Sequence, residues 1–132
     1  MWTSDIQYKV LTRVKAEGTK RLKTRYPDIN FTTSSKSPSD SKFPTVYIKS
    51  LTGGERGQTL DGKTVNAVIA SFQVEVTAST NDTDAQNVAD VVYEIMKSMA
   101  FQVMGTPVAD NDEKSYRNIA RYQRLVGYDD VL

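Results

Sequence analysis

The chain has 132 residues, is 39% hydrophobic and sets 17 Lys and Arg against 16 Asp and Glu, a net charge of +1. At that length a single compact domain over 1–132 is expected, and the even charge argues against a domain that works mainly by neutralising nucleic-acid phosphates. Cysteine and histidine are both absent, which removes disulfides, thiol nucleophiles, the commonest general base and the commonest transition-metal ligands, and so points away from an enzyme.

Residues 3–25 place Ile6, Val10, Leu11, Val14 and Leu22 at helical spacing, with Thr3 or Ser4 available as the cap. Gly18 inside this helix predicts a bend or break, since glycine costs about 1 kcal/mol relative to alanine. Pro27 disfavours helical geometry at Tyr26 and releases the chain into a short strand around 29–33. The helix is basic: Lys9, Arg13, Lys15, Lys20, Arg21, Lys23 and Arg25 accompany a single Glu17. Asp110, Asp112, Glu113, Asp129 and Asp130 make the other end of the chain acidic, a polarity that suits head-to-tail contact between copies.

Residues 34–42 (SSKSPSDSK) are Ser-rich and lack an apolar anchor, the composition of a mobile solvated connection. The strand expected at 44–51 sets Val46 and Ile48 against Thr45, Tyr47 and Lys49. Gly53, Gly54, Gly57 and Gly62 then make 52–63 a long mobile excursion, a kind of loop that often carries function. In the strand 65–78, Phe72, Val74 and Val76 alternate with Gln73, Glu75 and Thr77, giving one buried and one wet face. Strands more often run about five or six residues, so this one is expected to bend or project beyond the sheet.

Asn81, Asp82 and Thr83 offer caps and early negative charge to a helix whose apolar stripe is Ala85, Val88, Ala89, Val92, Ile95, Met96 and Met99. Residues 101–104 read as a short strand, Gly105 and Pro107 as a turn, and 116–126 as the last long strand. The fold class is therefore α+β: a mostly antiparallel sheet of four to five strands, a long N-terminal helix, and a second helix packed on one face.

The side chains capable of chemistry read mostly as surface. GGERG at 53–57 lacks the Gly-Lys-Ser or Gly-Lys-Thr ending of a phosphate loop and precedes a strand. Asp110, Asp112 and Glu113 lack the spacing of a calcium loop and read as a solvated acidic turn. A hydrolase built on Glu75 or Glu94 would need a buried acidic pair, and no spacing supplies one. No catalytic residue, cofactor or metal is expected. Arg117 and Arg121 share one face of the last strand and Arg124 takes the other; they serve either to protect a sheet edge or, with Arg56 in the long loop, to meet a partner's carboxylates.

The order of these elements resembles the tail terminator, or tail completion, proteins of long-tailed bacteriophages and related small neck proteins. The resemblance runs over nearly the whole chain: the amphipathic first helix, FPTVYI at 43–48, the Gly-rich excursion, SFQVEVTAS at 71–79, AQNVADVVYEIMKSMAF at 85–101 and RNIARYQRLVG at 117–127. It implies a structural virion protein forming a homo-oligomeric, hexameric ring at the head-proximal end of the tail. The ring would contact the tail tube protein and the head-tail connector or neck protein, while genomic DNA passes through its channel without sequence recognition. Such a protein is made in the host cytoplasm and ends in the virion. The chain has no run of about eighteen apolar residues and opens on none of signal-peptide length, so no membrane contact is expected. The alternative is a nucleic-acid-binding accessory domain that uses the basic N-terminal helix, with affinity falling steeply as salt rises.

Overall fold

The computed structural model describes residues 6–33, 44–51, 55–58, 65–79, 81–105, 107–111 and 116–127. Thr3 and Ser4, the connection at 34–42, Gly53, Gly54, Gly62, Asp112, Glu113, Asp129 and Asp130 lie outside the described residues. The expectation of mobile loops at 34–42 and 52–63 falls there too, apart from the one short strand described below.

Helix α1 spans Ile6–Leu22 and buries Ile6, Val10, Val14, Gly18 and Leu22, one residue every four positions. It runs through Gly18 without the expected break. A Cβ at Gly18 would stand 2.6 Å from Cζ and 2.9 Å from Cε1 of Phe31, so the residue is there for a close approach between helix and strand rather than as a hinge. Phe31 lies in β1, Asn30–Thr32, and it is buried between its neighbours.

The remaining strands are β2 (Thr45–Leu51), β3 (Glu55–Gln58), β4 (Val65–Ala78), β5 (Gln102–Val103), β6 (Val108–Asn111) and β7 (Tyr116–Gly127). Five of the seven form the main path, in the order β1-β2-β4-β7-β5, while β3 pairs with β4 and β6 with β7. β1 runs parallel to β2 and every other pairing is antiparallel. The architecture is thus α+β with two helices, as its residue pattern predicts, and the two extra short strands extend the edges. Strand β4 does not project beyond the sheet. On one side it pairs with β2 through Ser71–Thr77 and with β3 through Val65–Val68, and on the other β7 follows it from Ala67 to Ala78.

Helix α2 spans Asp82–Ser98, and Asn81 caps it by accepting a 2.8 Å hydrogen bond from the Asp84 backbone N–H. Its far end closes differently. Phe101 N–H bonds Met96 C=O at 3.0 Å and Ala100 N–H bonds Lys97 C=O at 2.9 Å, the paired bonds of a Schellman cap. That cap requires a left-handed residue, and Ala100 supplies it at φ 64°. The cap turns Phe101 into the core, where its ring meets Phe72 edge-on at 5.7 Å.

Both helices cover one face of the sheet. α2 packs on β4 and β7, and α1 packs beside α2 and over β1. Val46 and Ile48 of β2, Phe72, Val74 and Val76 of β4, and Ala120, Tyr122 and Val126 of β7 turn toward them and are buried with Val10, Val14, Val88, Val92 and Ile95. Arg21 and Glu94 tie the helices at 2.7 Å on the surface, and the Tyr26 hydroxyl donates to Asp84 Oδ1 at 3.0 Å.

A left-handed conformation costs an L-residue roughly 1 kcal/mol or more, and glycine almost nothing. Ala100→Gly is therefore expected to stabilise the protein by about 0.5–1 kcal/mol, after the larger unfolded-state entropy of glycine is subtracted. Urea unfolding checks it, and a lower midpoint than wild type would contradict the strain at this cap.

Candidate functional site

Directly opposed residues in a sheet share a face, so the register places each candidate arginine. Gln73 lies between Lys49 and Arg121, Thr77 between Thr45 and Arg117, and Ile69 opposite Leu125. All of these belong to the sheet face that neither α1 nor α2 covers. Arg121 is exposed; its Nε donates to Gln73 Oε1 at 3.1 Å, and Gln73 Nε2 donates in turn to Glu75 Oε1 at 3.1 Å. Arg117 is half-buried on the same face, opposite Asp110 of β6 in register. The same face carries Leu125 and Val108, 56% and 57% exposed.

Arg124 is different. It points to the helical side and its Nη1 donates to the Met99 carbonyl at 3.0 Å, placing a cation on an otherwise orphaned carbonyl at the α2 C-terminus. Arg56 enters β3 opposite Ala67, and its side chain lies outside the described residues. The fold thus brings Arg117 and Arg121 together and sends Arg124 into the support of α2.

On the helical side, Lys9, Lys15, Lys20, Lys23 and Arg25 are exposed on and just after α1. Arg21 is occupied by Glu94, and the Arg25 guanidinium lies 5.5 Å from the centre of the Tyr26 ring.

A second feature was not legible from the sequence: a cleft of ≈ 380 Å³ between α2 and the β6–β7 edge. Asp82, Asp90 and Tyr93 line it from α2, Asn118 and Tyr122 from β7, and Ala109 from β6. The rings of Tyr93 and Tyr122 lie 6.5 Å apart, tilted by 45°. Tyr122 is only 2% exposed. Burial, then Tyr93, then Asp90 push its pKa up to about 12, so it stays a neutral hydroxyl through the physiological range. The spacing of Asp82, Gln86, Asp90 and Tyr93 marks one flank of a helix. Only the β7 register shows that Tyr122 lies beneath that flank.

Among the described residues no three Asp or Glu side chains gather as a metal-holding group, and no helix is long and apolar enough to cross a membrane. No family model matches the chain, and no curated protein matches it. Among solved structures it is similar to the bacteriophage SPP1 gp17 protein, at 14% identity and a TM-score of 0.46, over 94% of this chain and 95% of that one. A likeness at that level carries no functional argument, so the functional reading rests on the chain's own residues.

The raised pKa of Tyr122 makes stability depend on pH at the alkaline end. Below about pH 10 the hydroxyl is protonated in both folded and unfolded chains. Above it the unfolded chain ionises first, so this contribution is lost as pH rises from 10 through about 12. Across that window the wild type is expected to lose on the order of 2 kcal/mol relative to Tyr122→Phe. Urea midpoints of both proteins at pH 8 and at steps above 10 measure it, and parallel curves would contradict the burial of this hydroxyl.

Proposed function

We propose that this chain is a structural, non-enzymatic subunit of a long-tailed phage particle, a tail terminator that assembles into a hexameric ring. The ring caps the head-proximal end of the tail tube and joins it to the neck, with genomic DNA passing through without base readout. The protein needs no cofactor for this role, is made in the host cytoplasm and resides in the virion.

The observation that carries the proposal is a sheet that, among the described residues, is covered on one face only. Its other face mixes Arg117, Arg121 and Lys49 with the outward apolar pairs Ile69–Leu125 and Ile119–Val108. Apolar surface removed from water contributes roughly 25 cal/mol per Å², and a specific interface buries roughly 1,600 Å² in all. A one-sided sheet some twelve pairs long along its central ladder offers the flat area such a contact needs. The arginines among the apolar residues supply orientation, because guanidinium pairs with carboxylate in a fixed geometry. This face suits the axial partners, the tail tube protein and the neck protein. Contacts within the ring join different surfaces of neighbouring copies, as cyclic closure requires.

A second reading, a nucleic-acid-binding accessory domain, draws on the exposed cations of α1 and the turn after it. It requires a duplex affinity that falls steeply between low and physiological salt.

Light scattering of the purified protein tests the first reading, with a mass near that of six chains expected, alone or once tail tube protein is added. A monomer at high concentration in both conditions would remove the ring. Salt-sensitive duplex binding by that monomer would favour the second reading.

A further inference from the structure

The acidic, aromatic cleft between α2 and β7 has no part in the open sheet face, and its chemistry is specific. Two exposed carboxylates, Asp82 and Asp90, stand at its rim beside Tyr93, whose ring is 39% exposed. At its floor lies Tyr122, only 2% exposed, with its ring beside that of Tyr93. Carboxylates, a ring face and a hydroxyl that can accept a hydrogen bond are together the complement of an ammonium or guanidinium group. Three of the arginines are engaged elsewhere. Arg21 is held by Glu94, Arg124 by the Met99 carbonyl, and Arg121 by Gln73 on the other face of the sheet.

Placement indicates where the cation comes from. The cleft flanks α2 on the side of the β6–β7 edge, whereas α1 packs along the other flank, over β1 at the opposite edge of the sheet. The basic helix and the cleft therefore occupy opposite ends of one helical layer. On α1, Tyr8 and Lys15 are two turns apart on one flank, and both are exposed, Tyr8 by 71%. At 3.6 residues per turn that flank lies roughly 120° around the helix from Arg21, which faces α2. It looks away from its own subunit's cleft and outward from the molecule.

We infer that the Asp82–Asp90–Tyr93–Tyr122 cleft seats a lysine from α1 of a second copy of this chain, with Lys15 as the inserted side chain and Tyr8 packing beside it. The inference rests on the self-association proposed above and adds to it the surface used between neighbours. The contact is heterologous: each copy offers a basic flank at one end and an acidic cleft at the other, so the same contact repeats until the ring closes. Charge complementarity across it sets orientation and rejects the reverse arrangement, which would oppose like charges.

The test is sedimentation velocity on the full chain, with Lys15→Glu, Asp90→Lys and the combined double reversal. Both positions are exposed, and circular dichroism melting confirms that each variant folds. Either single reversal is expected to weaken self-association about tenfold or more, and the double reversal to recover most of that loss. An equimolar mixture of the two single variants is expected to recover assembly as well, because every contact between unlike copies again sets opposite charges against each other. Single variants that assemble like wild type would overturn the cleft contact and leave the ring reading standing. Loss on Asp90→Lys but not on Lys15→Glu would overturn Lys15 as the occupant in favour of another cationic segment. A wild-type protein that stays monomeric, alone and with tail tube protein, would overturn both the contact and the ring.

Discussion

The ladder between β4 and β7 is the constraint on which the rest of this structure depends. It runs without a break from Ala67↔Gly127 to Ala78↔Tyr116. Because side chains alternate with a period of two, its register decides the fate of both faces at once. Phe72, Val74 and Val76 meet Tyr122, Ala120 and Asn118 on the helical side, while Gln73 and Glu75 meet Arg121 and Ile119 on the open side. A slip of one residue would send Gln73 and Glu75 into the core and Phe72 into solvent. The short strands β2, β3, β5 and β6 take their positions from the outer edges of these two long ones.

The second helix is fastened to that ladder at both ends, and its fastening explains an unexpected residue. Asn81 caps the start, and Tyr26 reaches Asp84 from the segment after α1. At the finish, the Schellman turn is forced through Ala100 at positive φ, and Arg124 of β7 holds the Met99 carbonyl. The local strain is outweighed by the burial of Phe101 against Phe72, since a fully buried aromatic ring contributes roughly 2–3 kcal/mol. The same register that places Arg124 under the helix end places Tyr122 under its flank, so one strand supplies both a structural clamp and the floor of the cleft.

With a single helical layer the molecule is asymmetric in two directions. Across the sheet, one face is packed and the other is open, with arginines among exposed aliphatic side chains. Along the helical layer, exposed cations of α1 lie at one end and the acidic, aromatic cleft at the other. The proposed ring would use both asymmetries, one for neighbours in the plane and one for partners along the axis.

The amino-acid sequence by itself determined the periodic elements. Alternation along 65–78 matches β4 at both ends, the 3.6-residue stripe after Asn81 marks α2, and the alternation after Tyr116 marks β7. These segments carry enough buried side chains to declare their own period. The assignment of Arg117 and Arg121 to one face and Arg124 to the other followed from the same alternation. Only the tertiary structure decided the rest. β3 is Gly-containing and β6 carries too few apolar residues to show a period; each is a strand because a long neighbour leaves an edge to pair with. Gly18 looked like a weakness in α1 until Phe31, thirteen residues on, was found against it. The cleft joins α2 to β7 across nearly thirty residues of chain, from Tyr93 to Tyr122, and no local pattern encodes a meeting that depends on where a helix crosses a sheet.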